Sequence, residues 1–279
     1  MKSAIVIVSF LMGWKMDERS IMLRKWIIDA VVNSSRREHI PSAFSVLEIL
    51  RVLYDDILRY DPKNPKLGER DRLILSKGHG CLALYVLLAD KGFFPKEELN
   101  RFCLPDGLLG GHPDHKIPGV ELSTGSLGHG PPVGVGMAIY GKFEKSRHRI
   151  FVVIGDGESD EGSIWEAAMV ASKHKLDNLT VIVDYNRQMT YGTTHEVQEL
   201  EPFADKWRSF GWAVKEIDGH NIKELKTVLS SLPIEKDKPS AIIANTVKGK
   251  GIKAIEKNIE WHHKSKLSDE DIKMLKEGL

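Results

Sequence analysis

The residues of this sequence that most clearly suggest a chemical role are an aspartate and an asparagine, each of which follows a short apolar run. The run Ile150–Ile154 leads into Gly155 and Asp156, and Asn186 follows the run Leu179–Val183, thirty positions after Asp156. Short apolar runs of this kind are typical of strands that are buried on both faces of a sheet. Because ligands collect at the carboxyl ends of parallel strands, we expect both polar side chains at one edge of a sheet.

The residues around Asp156 predict a site for a phosphate and a metal ion. Gly155 and Gly157 flank the aspartate, so backbone amides could come close to an anion. A helix predicted to begin near Ser163 would add a partially positive N-terminus. A carboxylate among such amides would repel phosphate unless a cation lay between them, and Mg²⁺ commonly binds carboxylates together with phosphate oxygens. Asp156 and the amide oxygen of Asn186 therefore predict a magnesium site.

The elements that must position these residues predict an α/β fold. Strand, helix and strand recur at a spacing that favours a parallel sheet with right-handed crossovers and helices on both of its faces. We predict one domain over residues 16–279, and a loop from Pro105 to Pro118. Further strands are predicted at Arg72–Leu75, Trp212–Ile217 and Ala241–Val247, and helices at Ile21–Val32, Phe44–Leu58, Cys81–Leu88, Ile164–Ala171 and Ile222–Leu232.

Composition narrows the classes of partner. The 279 residues carry 40 basic and 39 acidic side chains. The resulting net charge of +1 predicts no broad electrostatic field that would attract nucleic acid or an anionic membrane. Two cysteines are too few for a disulfide framework, which favours the cytoplasm. The apolar stretch 4–14 is too short to cross a bilayer, and we interpret residues 1–15 as an N-terminal extension.

Five motifs resemble segments of the transketolase family. The stretch from Gly155-Asp156-Gly157-Glu158 to Asp184-Tyr185-Asn186 resembles the thiamine diphosphate motif of that superfamily. Four other segments resemble transketolases in the same order, and the resemblance covers roughly residues 17–265. These segments are Ser76-Lys77-Gly78-His79, Gly111-His112-Pro113-Asp114, Ser123-Thr124-Gly125-Ser126-Leu127-Gly128 and Trp261-His262-His263.

The resemblance implies a thiamine diphosphate-binding fold and a set of cofactor ligands. Asp156, Asn186 and the main-chain carbonyl of Gln188 would hold Mg²⁺. Gln188 replaces the apolar residue usual in the family, which should matter little for a backbone ligand. The residues implied to contact the cofactor are His79, Gly125, Ser126, Leu127, Asp156, Gly157, Asn186 and His262.

The resemblance also assigns four histidines, His39, His79, His112 and His262, to the channel for the cofactor and a sugar phosphate. Histidine suits proton transfer and the orientation of hydroxyl groups near neutral pH. The sequence departs from the family at Glu38, where transketolases usually have glycine. Glycine permits close approach of the backbone, so Glu38 puts the sugar preference in question.

A thiamine diphosphate site in this family lies between two domains, and we expect a second chain to supply the pyrimidine-binding domain. By resemblance to split transketolases the assembly would be α2β2, and Glu161 matches an acidic position near the dimer interface. Stabilisation of a first helical turn is an equal alternative for Glu161. The expected reaction transfers a two-carbon ketol unit from a ketose to an aldose. The alternatives are another thiamine diphosphate carboligase or decarboxylase, or a noncatalytic binding protein.

Overall fold

A five-stranded parallel sheet forms the centre of the protein. The computed structural model describes residues 16–34, 39–261, 264 and 267–279. The strands are β1 (Arg72–Leu75), β2 (Ile150–Gly155), β3 (Leu179–Tyr185), β4 (Ala213–Asp218) and β5 (Ser240–Asn245). Their order across the sheet is β1-β2-β3-β5-β4, and every pair is parallel.

Helices connect the strands and cover the sheet. Within the described ranges they are α1 (Glu18–Ser34), α2 (Ile40–Val52), α3 (Cys81–Asp90), α4 (Gly130–Phe143), α5 (Gly162–Lys173), α6 (Thr194–Val197), α7 (Phe203–Ser209), α8 (Ile222–Ser230) and α9 (Asp269–Glu277). A π-helical turn, Leu53–Ile57, follows α2 directly. Short 3₁₀ turns lie at Gly78–Gly80, Lys96–Arg101, Gly157–Asp160 and Ile259–Trp261. Among the residues described, no helix combines the length and apolar character needed to span a membrane.

The apolar run of β2 explains why the sheet is covered on both faces. Phe151 and Val153 belong to one core cluster, with α1, α2, α3, α8 and α9, while Val152 and Ile154 belong to a second, with α4, α5 and α7. Successive side chains of a strand point to opposite faces of the sheet. A continuous apolar run is therefore buried only if helices pack against both faces. Complete burial of each such side chain contributes roughly 1.5–3 kcal/mol. The predicted α/β class, with helices on both faces of a parallel sheet, is confirmed.

Most predicted elements are present, and the structure adds four helices that were not predicted, α4, α6, α7 and α9. The helix predicted over 44–58 is an α-helix that continues into a π-helical turn. Helix α4 was not predicted, because its glycines and its Pro131-Pro132 pair at the start obscure the apolar periodicity. The predicted loop from 105 to 118 contains neither helix nor strand. The proposed extension, residues 1–15, lies outside the described residues.

Candidate functional site

Four neighbouring strands end at the same edge of the sheet, and a polar segment follows each of them. Ser76 and Lys77 follow β1, Asp156 follows β2, Asn186 follows β3, and residues 246–248 follow β5. All these side chains are buried, with no more than 8 % of their surface exposed. Buried polar groups need hydrogen-bond partners, and ligands of parallel sheets bind at the carboxyl ends of the strands. This edge of the sheet is therefore the candidate functional site.

Asp156 and Asn186 are brought together by one backbone turn. One carboxylate oxygen of Asp156 accepts the N–H of Gly157 at 2.8 Å, and the other accepts the N–H of Arg187. Arg187 lies between Asn186 and Gln188, and the Asn186 side-chain oxygen accepts the N–H of Gln188 at 3.0 Å. The carboxylate therefore lies against the turn that carries the two other predicted metal ligands.

Burial makes the Asp156 carboxylate a good partner for a cation. Burial and the nearby Asp184 carboxylate raise its pKa to about 6, although the N–H groups of Gly157 and Arg187 oppose the shift. A metal ion would favour the charged form of such a group. No cluster of three or more His, Cys, Asp and Glu suited to a metal occurs among the described residues. The candidate site is of another type, with one carboxylate, one amide and one main-chain carbonyl.

The backbone carbonyl and the side chain of Gln188 have different partners. Its carbonyl oxygen accepts a hydrogen bond from the Lys248 ammonium at 3.3 Å. Its side-chain amide donates to the Lys257 carbonyl at 2.7 Å. A backbone ligand at this position is therefore compatible with a polar side chain.

Two buried lysines at this edge were not predicted as site residues. Lys77 pairs with Asp184, which also accepts hydrogen bonds from Ser45 at 2.6 Å and from Thr246. Burial and the proximity of Lys77 lower the pKa of Lys248 to about 7. A bound anion would favour the charged form of Lys248. Both lysines precede a glycine just after a strand, a signal that sequence reasoning could have used.

The glycine-containing segments pack against one another at the site. A methyl group built at Gly78 would lie 2.8 Å from the Gly125 nitrogen, so only glycine permits this approach. Gly125 has a φ of +138°, and a methyl group on it would lie 2.8 Å from the His112 ring. The turn that continues with Ser126 and Leu127 therefore lies between the Gly78 turn and His112.

Three of the four predicted histidines lie on these segments. The rings of His39 and His79 are 5.7 Å apart and nearly perpendicular, which brings the start of α2 beside the turn after β1. Burial lowers the pKa of His112 and so favours its neutral imidazole. His262 and Glu38 lie outside the described residues.

Glu158 connects three of these segments, and sequence reasoning missed this function. One carboxylate oxygen accepts the Ser76 hydroxyl and the N–H of Gly128 at 3.0 Å. The other accepts the N–H of Gly155 at 3.1 Å. Burial raises the pKa of Glu158, while these three donors stabilise its ionised form.

We expect Glu158→Gln to destabilise the protein by about 1–3 kcal/mol, because an amide group would face a donor that the carboxylate now satisfies. Urea unfolding monitored by circular dichroism measures this change. Glu166→Gln, which replaces an exposed glutamate on α5, is the matched control and should change stability by less than about 0.5 kcal/mol. Equal stability of the two variants would contradict a connecting role for Glu158.

Comparisons with known proteins show which family and which relatives this chain is similar to. The family model described as "Transketolase, thiamine diphosphate binding domain" matches residues 17–279. A subunit of the apulose-4-phosphate transketolase of Phocaeicola vulgatus is 43% identical over 240 residues, which cover 86% of this chain and 85% of the relative. The 6-deoxy-6-sulfo-D-fructose transketolase subunit SqwG of a Clostridium species is 45% identical over 233 residues, which cover 83% and 84%.

A solved structure shows the same fold within a longer chain. Transketolase from Campylobacter jejuni superposes with a TM-score of 0.86 at 32% identity, over 93% of this chain and 42% of that one. Human transketolase is 38% identical over 227 residues, which cover 81% of this chain and 36% of the human protein. The similarity to these longer proteins is thus confined to about two fifths of their length.

Proposed function

Because the chain belongs to the transketolase family, as its thiamine diphosphate binding domain, we propose that it is the diphosphate-binding subunit of a two-chain transketolase. The reaction transfers a two-carbon ketol unit from a ketose phosphate to an aldose acceptor. One observation carries the proposal most strongly. Asp156 is buried against the Asn186–Gln188 turn at the edge of the sheet where the carboxyl ends of the strands meet.

The residues at this edge fit Mg²⁺ and a diphosphate. A carboxylate, an amide and a carbonyl offer the oxygen ligands that a hard cation prefers, and they would come from Asp156, Asn186 and Gln188. The buried Asp156, with its raised pKa, gains from a cation. Gly157 and the turn from Gly125 to Leu127 would contact the cofactor. When bound, thiamine diphosphate supplies the chemistry that breaks and forms the carbon–carbon bond.

The histidines would bind the sugar and move protons. His39, His79 and His112 lie on segments that pack around one turn, so their imidazoles can approach the hydroxyl groups of one substrate. A neutral His112, favoured by its lowered pKa, can accept a proton near neutral pH. His262 belongs to the same proposed set by family resemblance.

We assign the pyrimidine-binding domain to a second chain. Two relatives similar over most of their length are named as subunits of apulose-4-phosphate transketolases, which supports a divided enzyme. The proposed assembly contains two copies of each chain. With two cysteines and no disulfide framework in the sequence, the cytoplasm is the proposed compartment.

An apolar surface on α4 and α5 supports contact between two copies of this chain. We call it the α4–α5 patch, and its members are Ile139, Tyr140, Phe143, Met169 and Val170. Phe143 is 80% exposed, and contiguous exposed apolar groups are typical of association surfaces. Helix α5 follows Glu161 directly, the residue that resembles an acidic position near the family's dimer interface.

We expect Phe143→Glu to raise the dissociation constant of the assembly by about tenfold or more, because a charge would replace an apolar anchor. Analytical ultracentrifugation over a concentration series measures the effect. Leu67→Glu changes a 40% exposed leucine outside the α4–α5 patch and should leave the assembly unchanged. An identical loss of assembly in both variants would argue against this location.

The proposed activity is tested by mixing the chain with its partner, thiamine diphosphate and Mg²⁺. Donors should include ketose phosphates and 6-deoxy-6-sulfofructose, since the named relatives act on different sugars. Transfer of a two-carbon unit to an aldose supports the proposal. Release of carbon dioxide from 2-oxoacids without ketol transfer would favour a decarboxylase, and failure to bind the cofactor would favour a noncatalytic binding protein.

A further inference from the structure

Three buried polar residues form a network beside the candidate site. Arg24 and Glu48 are fully buried, and His220 is 4% exposed. Arg24 donates two hydrogen bonds to Glu48, at 2.6 and 3.0 Å, and the second Glu48 oxygen lies 2.9 Å from His220 Nδ1. Although burial would raise the pKa of Glu48, the charge of Arg24 and the hydrogen bond with His220 hold it well below its ordinary value.

The backbone fixes the hydrogen-bonding state of His220. The N–H of Val247 donates to His220 Nε2 at 2.8 Å, so this nitrogen carries no hydrogen. The hydrogen of a neutral imidazole then lies on Nδ1, where it is donated to Glu48. His220 therefore links the buried Arg24–Glu48 pair to Val247, at the start of the segment after β5, through one hydrogen bond on each ring nitrogen.

The same segment is held at two further points. Arg24 Nε donates to the Lys250 carbonyl at 2.8 Å, and the N–H of Gly249 donates to the Pro41 carbonyl at 2.9 Å. Residues 247–250 are thus fixed near both ends, and Lys248 lies between the fixed points. Its ammonium contacts the Gln188 carbonyl at 3.3 Å.

We propose that His220, supported by Glu48 and Arg24, is a positioning residue that holds the Lys248 ammonium toward the diphosphate site. The inference rests on the proposed function, because it takes the bound anion to be the cofactor diphosphate. A lysine side chain is flexible and loses conformational entropy when its ammonium binds an anion. This loss is smaller when the backbone on either side of the lysine is already fixed. Supporting groups of this kind typically change affinity about 10- to 100-fold when they are removed.

The proposal is tested by the affinity of the complete complex for thiamine diphosphate in Mg²⁺, measured by isothermal titration calorimetry. We expect His220→Leu to raise the dissociation constant about tenfold. His220→Gln keeps a side-chain acceptor for Val247 and should raise the dissociation constant only about threefold. His148→Leu is the control, since His148 is a buried histidine just before β2, at the opposite edge of the sheet.

A double-mutant cycle separates positioning from general damage to the fold. If His220 acts through Lys248, His220→Leu should add less than about twofold to the loss caused by Lys248→Met. The proposal would be overturned if the affinity losses of His220→Leu and Lys248→Met multiplied in the double variant. It would also be overturned if His148→Leu weakened cofactor binding as much as His220→Leu does. Should His220→Leu not fold, the same cycle with His220→Gln decides, with a threefold loss that vanishes in the Lys248→Met background.

A cofactor-free measurement distinguishes this inference from the proposed function. Acetic anhydride labelling of the full chain, read by mass spectrometry, should modify Lys248 several-fold faster in His220→Leu than in wild type. Lys77, held by Asp184, should label at an unchanged rate relative to wild type. An unchanged Lys248 rate would overturn the positioning role even if cofactor binds, whereas wild type that binds no thiamine diphosphate would overturn the proposed function instead.

Discussion

Asp156→Ala is expected to weaken the binding of thiamine diphosphate in Mg²⁺ by at least about 100-fold, while the protein stays folded. The carboxylate is 2% exposed and is the one anionic ligand in the proposed set, so its loss leaves the cation with an amide and a carbonyl. Loss of a buried charged partner costs roughly 3–5 kcal/mol, which corresponds to a factor of 100 or more. Calorimetric titration of the complete complex with cofactor measures the change.

In the absence of metal, the stability of Asp156→Ala should fall less than that of wild type as the pH rises from 4 to 7. Burial raises the pKa of Asp156 from 3.8 to about 6, so the folded protein binds this proton more tightly than the unfolded chain does. The stabilising contribution of the proton is complete below pH 3.8 and is lost as the pH rises through 6. At pH 7 the ionised side chain therefore stabilises the metal-free fold less than the protonated side chain does at low pH, and alanine removes this pH dependence.

Asp160→Ala is the matched control for Asp156→Ala. Asp160 ends the same 3₁₀ turn but is exposed, so its removal should change cofactor affinity by less than about twofold. Cofactor affinity of Asp156→Ala within twofold of wild type would contradict the assignment of this ligand.

The isolated chain is expected to show at least about 1000-fold less ketol transfer than the mixture with its partner. In the proposed enzyme the second chain contacts the aminopyrimidine ring and supplies the glutamate that activates it. Removal of a single transition-state contact commonly costs 10²–10³ in rate, so absence of a whole half of the site costs more. Initial rates at fixed chain and increasing partner concentration should rise and saturate.

Two outcomes of that titration separate the proposals. Saturation at one partner per chain supports the α2β2 assembly. Full activity of the chain without partner would refute the divided enzyme, although it would leave the cofactor ligands untouched. A partner variant that lacks the activating glutamate is the control, since it should assemble without restoring activity.

The sequence was sufficient to place Asp156 and Asn186 at the same edge of the sheet, because their proximity depends on the order of neighbouring elements in the chain. Each follows a buried strand, and adjacent parallel strands bring their carboxyl ends together. The apolar runs of β2 and β3 also predicted that helices pack against both faces of the sheet. Those inferences needed only periodicity and the handedness of a strand–helix–strand unit.

The contacts of the supporting residues could not be predicted in this way, because their partners are distant in the chain. Lys77 pairs with a carboxylate 107 positions away, and His220 contacts Glu48 across 172 positions. No local spacing encodes such contacts. Lysine and histidine also occur most often at the surface, so a buried role contradicts the ordinary expectation for each.

The roles of the histidines and of Glu38 stay predictions that the fold makes testable. His39, His79 and His112 are brought to one region, which the sequence alone could not establish because three separate loops carry them. The sugar preference depends on side chains that contact the substrate, and Glu38 is one position where this chain differs from its family.

Anomalous X-ray scattering from crystals of the complex with thiamine diphosphate and Mn²⁺ shows whether Asp156, Asn186 and Gln188 hold the metal ion. We expect one strong manganese peak, about 2–2.3 Å from the side-chain oxygens of Asp156 and Asn186 and from the Gln188 carbonyl oxygen, with the remaining ligands on the diphosphate. Bound cofactor whose metal peak lies away from Asp156 and Asn186 would contradict it.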